Sequence, residues 1–372
     1  MAEGRDAGVG FRRVGFLDLM GGGQVTVDGN YAYVGHMAPP LGTSILDVSN
    51  PADPRVVAQL TVPADIHSHK VRVIGDVMLV NYERFPEDDR APRSVGLKLY
   101  DIVDRRRPRE ISFFPTQNRG VHRFDVQGTQ VFLSTGWEGF RSNILAIVDV
   151  AQPTKPTLVG RWWFEGLQGD GFGPPDYWVH LALARGDRAY VACGVAGVRI
   201  VDITDRSRPA TVSGVQWNPP YTPPTHTFLP VPHLIRNRRF AVVTDEDVID
   251  NVLEDPPAFM WIVDITDETR PVPVATYQAD PDGLVVPGKR FGAHQPWEHI
   301  REDNIVFVTW FSGGLRAVDI SDPYRPREVG RYIPPAVPPQ PAVQSNDVFV
   351  DPRGLVYVID RYRGLTVLEF RP

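Results

Sequence analysis

One phrase recurs along the chain and constrains its fold more than any other feature: an apolar strand end, an Asp, and a short polar turn that closes on Pro. It reads ILDVSNPADPR from Ile45, LYDIVDRRRPR from Leu99, IVDVAQPTKP from Ile147, IVDITDRSRP from Ile200, IVDITDETRP from Ile262 and AVDISDPYRP from Ala317. Its Asp falls at Asp47, Asp101, Asp149, Asp202, Asp264 and Asp319, and a degenerate copy, TVLEF, puts Glu369 in that place. Spacings near 50 residues are too even for chance and uneven enough for loop insertions, which marks a repeated structural unit. Seven units fit the length.

Inside a unit the pattern is one of short strands, with β-branched and aromatic residues alternating between Gly, Pro, Asn and Asp punctuation. HLALARGDRAYVACG gives two strands about a Gly-Asp turn, GVRIVDIT a third and ATVSGVQW a fourth. The 33 Gly and 36 Pro among 372 residues are spread through the chain, as many turns require. No helical period competes. The expected fold is all-β, a single seven-bladed β-propeller over residues 1–372 with four-stranded blades. The C-terminal unit supplies three strands within 346–370, and FRRVGFLDL at 11–19 matches the fourth-strand phrases REVGRYI and TLVGRWW. Residues 11–19 are therefore expected to complete that last blade and remove its free edge.

The phrase GLxIVDxSxPxxP, preceded by an aromatic-rich YVY or AYV strand, resembles the LVIVD-repeat family of propeller proteins over almost the whole chain. The resemblance implies the fold. It implies little about chemistry, because propellers host many unrelated functions.

Lys and Arg number 39 against 45 Asp and Glu, a net charge of -6, so no basic field exists to hold nucleic acid or an anionic membrane. Cys193 is the single cysteine, which excludes an intramolecular disulfide and a cysteine metal cluster. No run of about 18 apolar residues occurs, and the N-terminus has no signal-peptide core. The expectation is a soluble cytoplasmic protein.

Aligning the units on the VxV-like pair before the first Gly turn puts Gly23, His69, His122, His180, His233, His299 and Asn346 at one equivalent position. First strands of propeller blades are innermost, so five imidazoles are expected to converge on the axis. Neutral imidazoles on rigid strands suit a borderline transition metal, Fe(II) first, with copper, manganese or zinc as alternatives. His67, spaced for the same strand face as His69, and His294 and Glu298, beside His299, are candidate acid–base or orienting groups. Asp65 and Asp176 are further candidates to orient an imidazole. His226 is placed in a loop and His36 at a strand end. The acidic run Asp245, Glu246, Asp247 reads as a solvated loop, and the repeated Asp as a turn former.

Long loops are expected on the face where the ring begins, at 166–179, 217–232, 279–298 and 333–345, with further expansions at 83–96 and 245–260. They supply Phe172, Tyr177, Trp178, Trp217, Phe228, Phe291 and Trp297 as candidate lining for a small apolar or aromatic substrate. No nucleophile elbow, Walker loop or dinucleotide fingerprint is present. The expected function is a metal-dependent oxidoreductase, a non-haem iron oxygenase using dioxygen, which in geometry resembles the carotenoid-cleaving oxygenases with iron on four axial histidines. The alternatives are a metal-dependent hydrolase, lactonase or lyase, and a non-catalytic interaction scaffold.

Overall fold

In the computed structural model the chain is all-β, with 29 strands among the described residues, which are 7–84, 94–169, 177–218, 221, 223–248, 258–281 and 283–372. No helix among them is long and apolar enough to cross a membrane. The strands form six antiparallel sheets. The one with eight strands divides at its single Gly194–Thr225 pair into Tyr177–Val215 and Thr225–Tyr277 halves, each an up-and-down four-strand unit.

Each unit is built as its sequence demands. Tyr177–Arg185 and Arg188–Gly194 fold about Gly186, whose φ of +59° a side chain would resist, and Val198–Asp202 and Ala210–Val215 follow. Asp202 ends the third strand, and its carboxylate accepts the Thr204 amide at 2.8 Å. Asp47, Asp101, Asp149, Asp264 and Asp319 do the same for the amide two residues on, at 2.7–2.9 Å. The repeated Asp is an Asx-turn device that satisfies the first amide leaving the sheet.

Buried apolar faces of adjacent sheets pack against each other, as where Tyr190, Val198 and Ile200 meet Phe228, Val243 and Val263. A polar side chain near the axis also links each unit to the next. Thr26 donates to Val71 O, Asn81 to Val121 O, Ser134 to Val179 O, His180 to His226 O, Thr244 to His294 O and Thr309 to Asn346 O. Asp347 accepts the Val25 amide at 2.9 Å and completes the circle. At the matching place Gly35 lies so close to the His69 backbone that an added Cβ would fall 2.4 Å from the His69 carbonyl carbon. Inner strands are thus fixed to their neighbours as well as within their own sheets.

Both chain ends meet in the sheets. Phe11–Asp18 pairs with Gly364–Phe370, and Ala7–Val9 extends the preceding unit by pairing with Arg327–Ile333.

Candidate metal centre

The inner strands carry their histidines at β-bulges. Pairing of Val121–Gln127 with its neighbour steps between Val121 and Arg123 and leaves His122 unpaired; in Thr225–Pro230 the step leaves His226. His180 lies in the step between Tyr177 and Leu181, and Gly23 and Asn346 are the bulged residues of their strands. His69 sits between the short strands Ile66–His67 and Val71–Ile74, and His294 in the irregular stretch that bridges at Phe291 and Pro296. A bulge takes its extra residue out of the pleat alternation and re-aims the side chain.

The re-aimed rings form a continuous arc. Centroids lie 5.1 Å apart for His69 and His122, 4.9 Å for His122 and His180, and 4.3 Å for both His180–His226 and His226–His294. His67 extends the arc at 4.6 Å from His69.

Hydrogen bonds fix the tautomers. His180 Nδ1–H donates to the His226 carbonyl at 2.7 Å, and His294 Nδ1–H to the Asn346 carbonyl at 2.6 Å. His122 Nδ1–H donates to the Glu83 carboxylate at 2.9 Å. These partners only accept, so all three rings carry a proton on Nδ1, and the Nε2 of His180 and of His294 presents a lone pair. The Nε2 atoms of His122 and His180 face each other at 3.2 Å, a contact made either by one shared proton or by an ion between two ligating nitrogens. Two nitrogens each about 2.0–2.1 Å from one ion lie roughly 3 Å apart, so the spacing fits shared coordination. His226 Nδ1 meets Thr227 Oγ1 at 2.7 Å, while its Nε2 is buried without a partner. Burial, followed by the positive charge of Arg123, holds His180, His226 and His294 well below the usual imidazole range. In His69 burial and the neighbouring His67 act the same way. Neutral imidazole is the ligating form.

Two carboxylates face the arc. Glu83, almost fully buried, also accepts from His67 Nε2 at 2.7 Å; burial opposes its charge, yet His122 and His67 hold its carboxyl well below the usual range. Glu246 lies 3.7 Å from His294 Nε2 and 4.0 Å from His180 Nε2, and accepts from Arg290 at 2.9 Å. His67, His69 and Glu83 form one group with metal-ligand spacing, and His180, His226 and Glu246 another. Trp178 packs against both His122 and His180, at 5.3 and 5.1 Å.

Of the five expected ring members, His69, His122 and His180 meet in the arc. His233 and His299 do not: they line a separate cavity of about 420 Å³ with Arg185, Arg188 and Arg239, where His233 bonds Asn304 at 2.8 Å. Their places belong to His226 and His294, so His226 is not a loop residue and His294 is a ring member. Glu298 is also corrected. It accepts from Lys70 at 2.8 Å and from Arg72 beneath the ring, and burial there lowers the lysine to about 8.

Among the expected substrate contacts that are described, only Trp178 touches the imidazoles of the arc. Trp217 stacks on Trp261 at 4.6 Å, Phe228 is buried between sheets, Phe291 packs in a core cluster, and Trp297 stands beside His299 and Phe349. Phe172 and Asp176 lie outside the described residues, as does the Tyr177 side chain. The run Asp245 to Asp247 is no solvated loop. Asp245 is buried under Trp217, Trp261 and Thr225, and Asp247 accepts the Phe291 amide at 3.0 Å.

Sequence reasoning missed Glu83, set Glu246 aside in a solvated run, and missed the guanidinium groups of Arg123, Arg290 and Arg361. The signal for the first two was an acidic residue at the end of a second strand, just before an expanded loop.

The LVIVD repeat matches the chain at residues 22–62, 139–163, 183–216 and 302–333. No curated protein matches it significantly. Among solved structures, the periplasmic gluconolactonase PpgL of Pseudomonas aeruginosa is similar at 13% identity and TM-score 0.63, over 88% of each chain. The WD40 β-propeller domain of Doa1 is similar at 10% identity and TM-score 0.60, over 97% of this chain and 96% of that one. At such identities the likeness concerns the fold alone. Repeats and fold together make this chain a β-propeller that carries LVIVD repeats.

Proposed function

We propose that the chain is a metal-dependent enzyme whose ion is held on the propeller axis by His122, His180, His226 and His294. The observation that carries this reading is the inward convergence of imidazoles of which three, His122, His180 and His294, have their Nδ1 protons already committed. That arrangement is how proteins orient metal-ligating histidines. Iron(II), copper, manganese and zinc all accept such a set, and a bound ion supplies Lewis acidity and an activated water.

The chain's own groups favour hydrolysis, lactone opening or a lyase reaction. Glu246, held by Arg290 beside two ring nitrogens, is positioned as the general base, and Trp178 offers an apolar wall for a small substrate. A second reading, an oxygenase using dioxygen on an apolar or aromatic substrate, draws support from the neutral imidazole shell.

Turnover of small lactones and aryl esters, measured under argon and in air, separates the two. Equal rates are expected, with Glu246→Gln lowering kcat about 100-fold at unchanged metal content. Turnover that needs dioxygen and ignores Glu246 would favour the oxygenase reading.

A further inference from the structure

We infer that the rim of the histidine arc binds an oxyanion, so that the substrate carries a carboxylate or phosphate group gripped by Arg290 and Arg361 across Phe311. The inference rests on the enzyme reading for what happens to that substrate, and on the charge arrangement alone for its binding.

Arg290 and Arg361 lie over the Phe311 ring at 5.6 and 5.3 Å, and the same ring stands 4.5 Å from His294. Phe311 is fully buried with a φ of +45°, a left-handed conformation that a bulky residue adopts only when its surroundings impose it. Its ring therefore serves as a fixed platform for two guanidinium groups beside the proposed ion.

Charge balance points the same way. Lower on the axis three cations each touch a carboxylate: Lys70 and Arg72 share Glu298, and Arg185 has Asp125 at 2.8 Å. Around the imidazoles Glu83 and Glu246 are the carboxylates, yet two of the three guanidinium groups there make no salt bridge among the described residues. Arg290 takes Glu246, but Arg361 donates only its Nε to Asn346 Oδ1 at 2.8 Å and forms no salt bridge among the described residues. Arg123, 4% exposed, donates to Gln295 at 2.9 Å, and its Nε is buried without a partner. A protein interior tolerates unpaired cations poorly, and a metal ion would add to the excess. An anionic ligand is the missing counter-charge, and the forked guanidinium matches the paired oxygens of a carboxylate or phosphate. Burial, together with the neighbouring Arg290, pulls Arg361 down to about 10, as crowding of like charge requires.

Calorimetric titration with benzoate, phenyl phosphate and the neutral isostere benzamide tests this, on metal-stripped and metal-loaded protein. Both stripped and loaded protein are expected to bind at least one of the two anions, at least about tenfold tighter than benzamide, and the tighter of the two identifies the group. Arg361→Met is expected to weaken anion binding by about 10- to 100-fold, with partial recovery in Arg361→Lys. If Arg361→Met fails to fold by circular dichroism, Arg290→Met takes its place with the same expectation. Benzamide binding as tightly as the anions, no anion binding, or unchanged affinity in the folded variant would overturn the inference. Anion binding by a protein that takes up no metal would instead refute the enzyme reading and leave this one standing.

Discussion

At the scale of single residues, recurrence in the sequence had two different meanings. The Asp of IVDxS recurs in six units, and in all six it closes its own turn, a local role that a local motif can reveal. Histidine recurs too, but its role depends on which strand faces the axis, and that is a matter of register. His36 is the exception that served structure alone. It is buried at a strand end, bonded to Ser44 at 2.8 Å, and burial pulls its imidazole down to about 4. An unfolded histidine titrates near 6.5, so below that pH the unfolded chain takes up a proton that the folded chain refuses. Stability from this group is complete above about pH 6.5 and drains as pH falls toward 4. Denaturant titrations at pH 7 and pH 5 should show a loss roughly 2 kcal/mol larger in the wild type than in His36→Gln. Equal losses would contradict the burial assigned to it.

Strands and their boundaries were legible because alternation and turn residues are local, whereas two inner registers were not. The expected hairpin at His233 needed a Gly turn nearby, but the chain turns at Arg236 and Asn237, non-glycine residues with φ of +50° and +60°. That small turn, closed by Ile235 and Arg238, lies within residues 231–239 and moves the true inner strand back to Thr225–Pro230. Asn304 at φ +58° displaces His299 from the ring in the same way. Outer strands have their own constraint. A Cβ on Gly160 would lie 2.1 Å from the Arg206 carbonyl, and one on Gly15 2.0 Å from the Pro51 carbonyl, because each strand carries the Asp turn of a neighbouring unit. Gly160→Ala should therefore cost about 1–3 kcal/mol in urea unfolding, through forced separation of two blades. Unchanged stability would mean that the blades do not approach so closely.

For the molecule as a whole, the propeller was readable because a repeat spanning most of a chain leaves few other architectures. The centre was only half readable. Its histidines come from the inner edges of five units, its carboxylates from the ends of two second strands, and no linear motif joins them. What unites them is the ring of inter-blade hydrogen bonds, which locks each bulge against its neighbour and turns imidazoles distant in sequence into one arc. Metal analysis by mass spectrometry, on protein purified without an immobilised-metal column, addresses that arc most directly. About one transition-metal ion per chain is expected, lost in a folded His180→Ala, His226→Ala double variant and retained in His233→Ala, His299→Ala. A wild-type chain without stoichiometric metal, or a double variant at 180 and 226 that keeps it, would contradict the account.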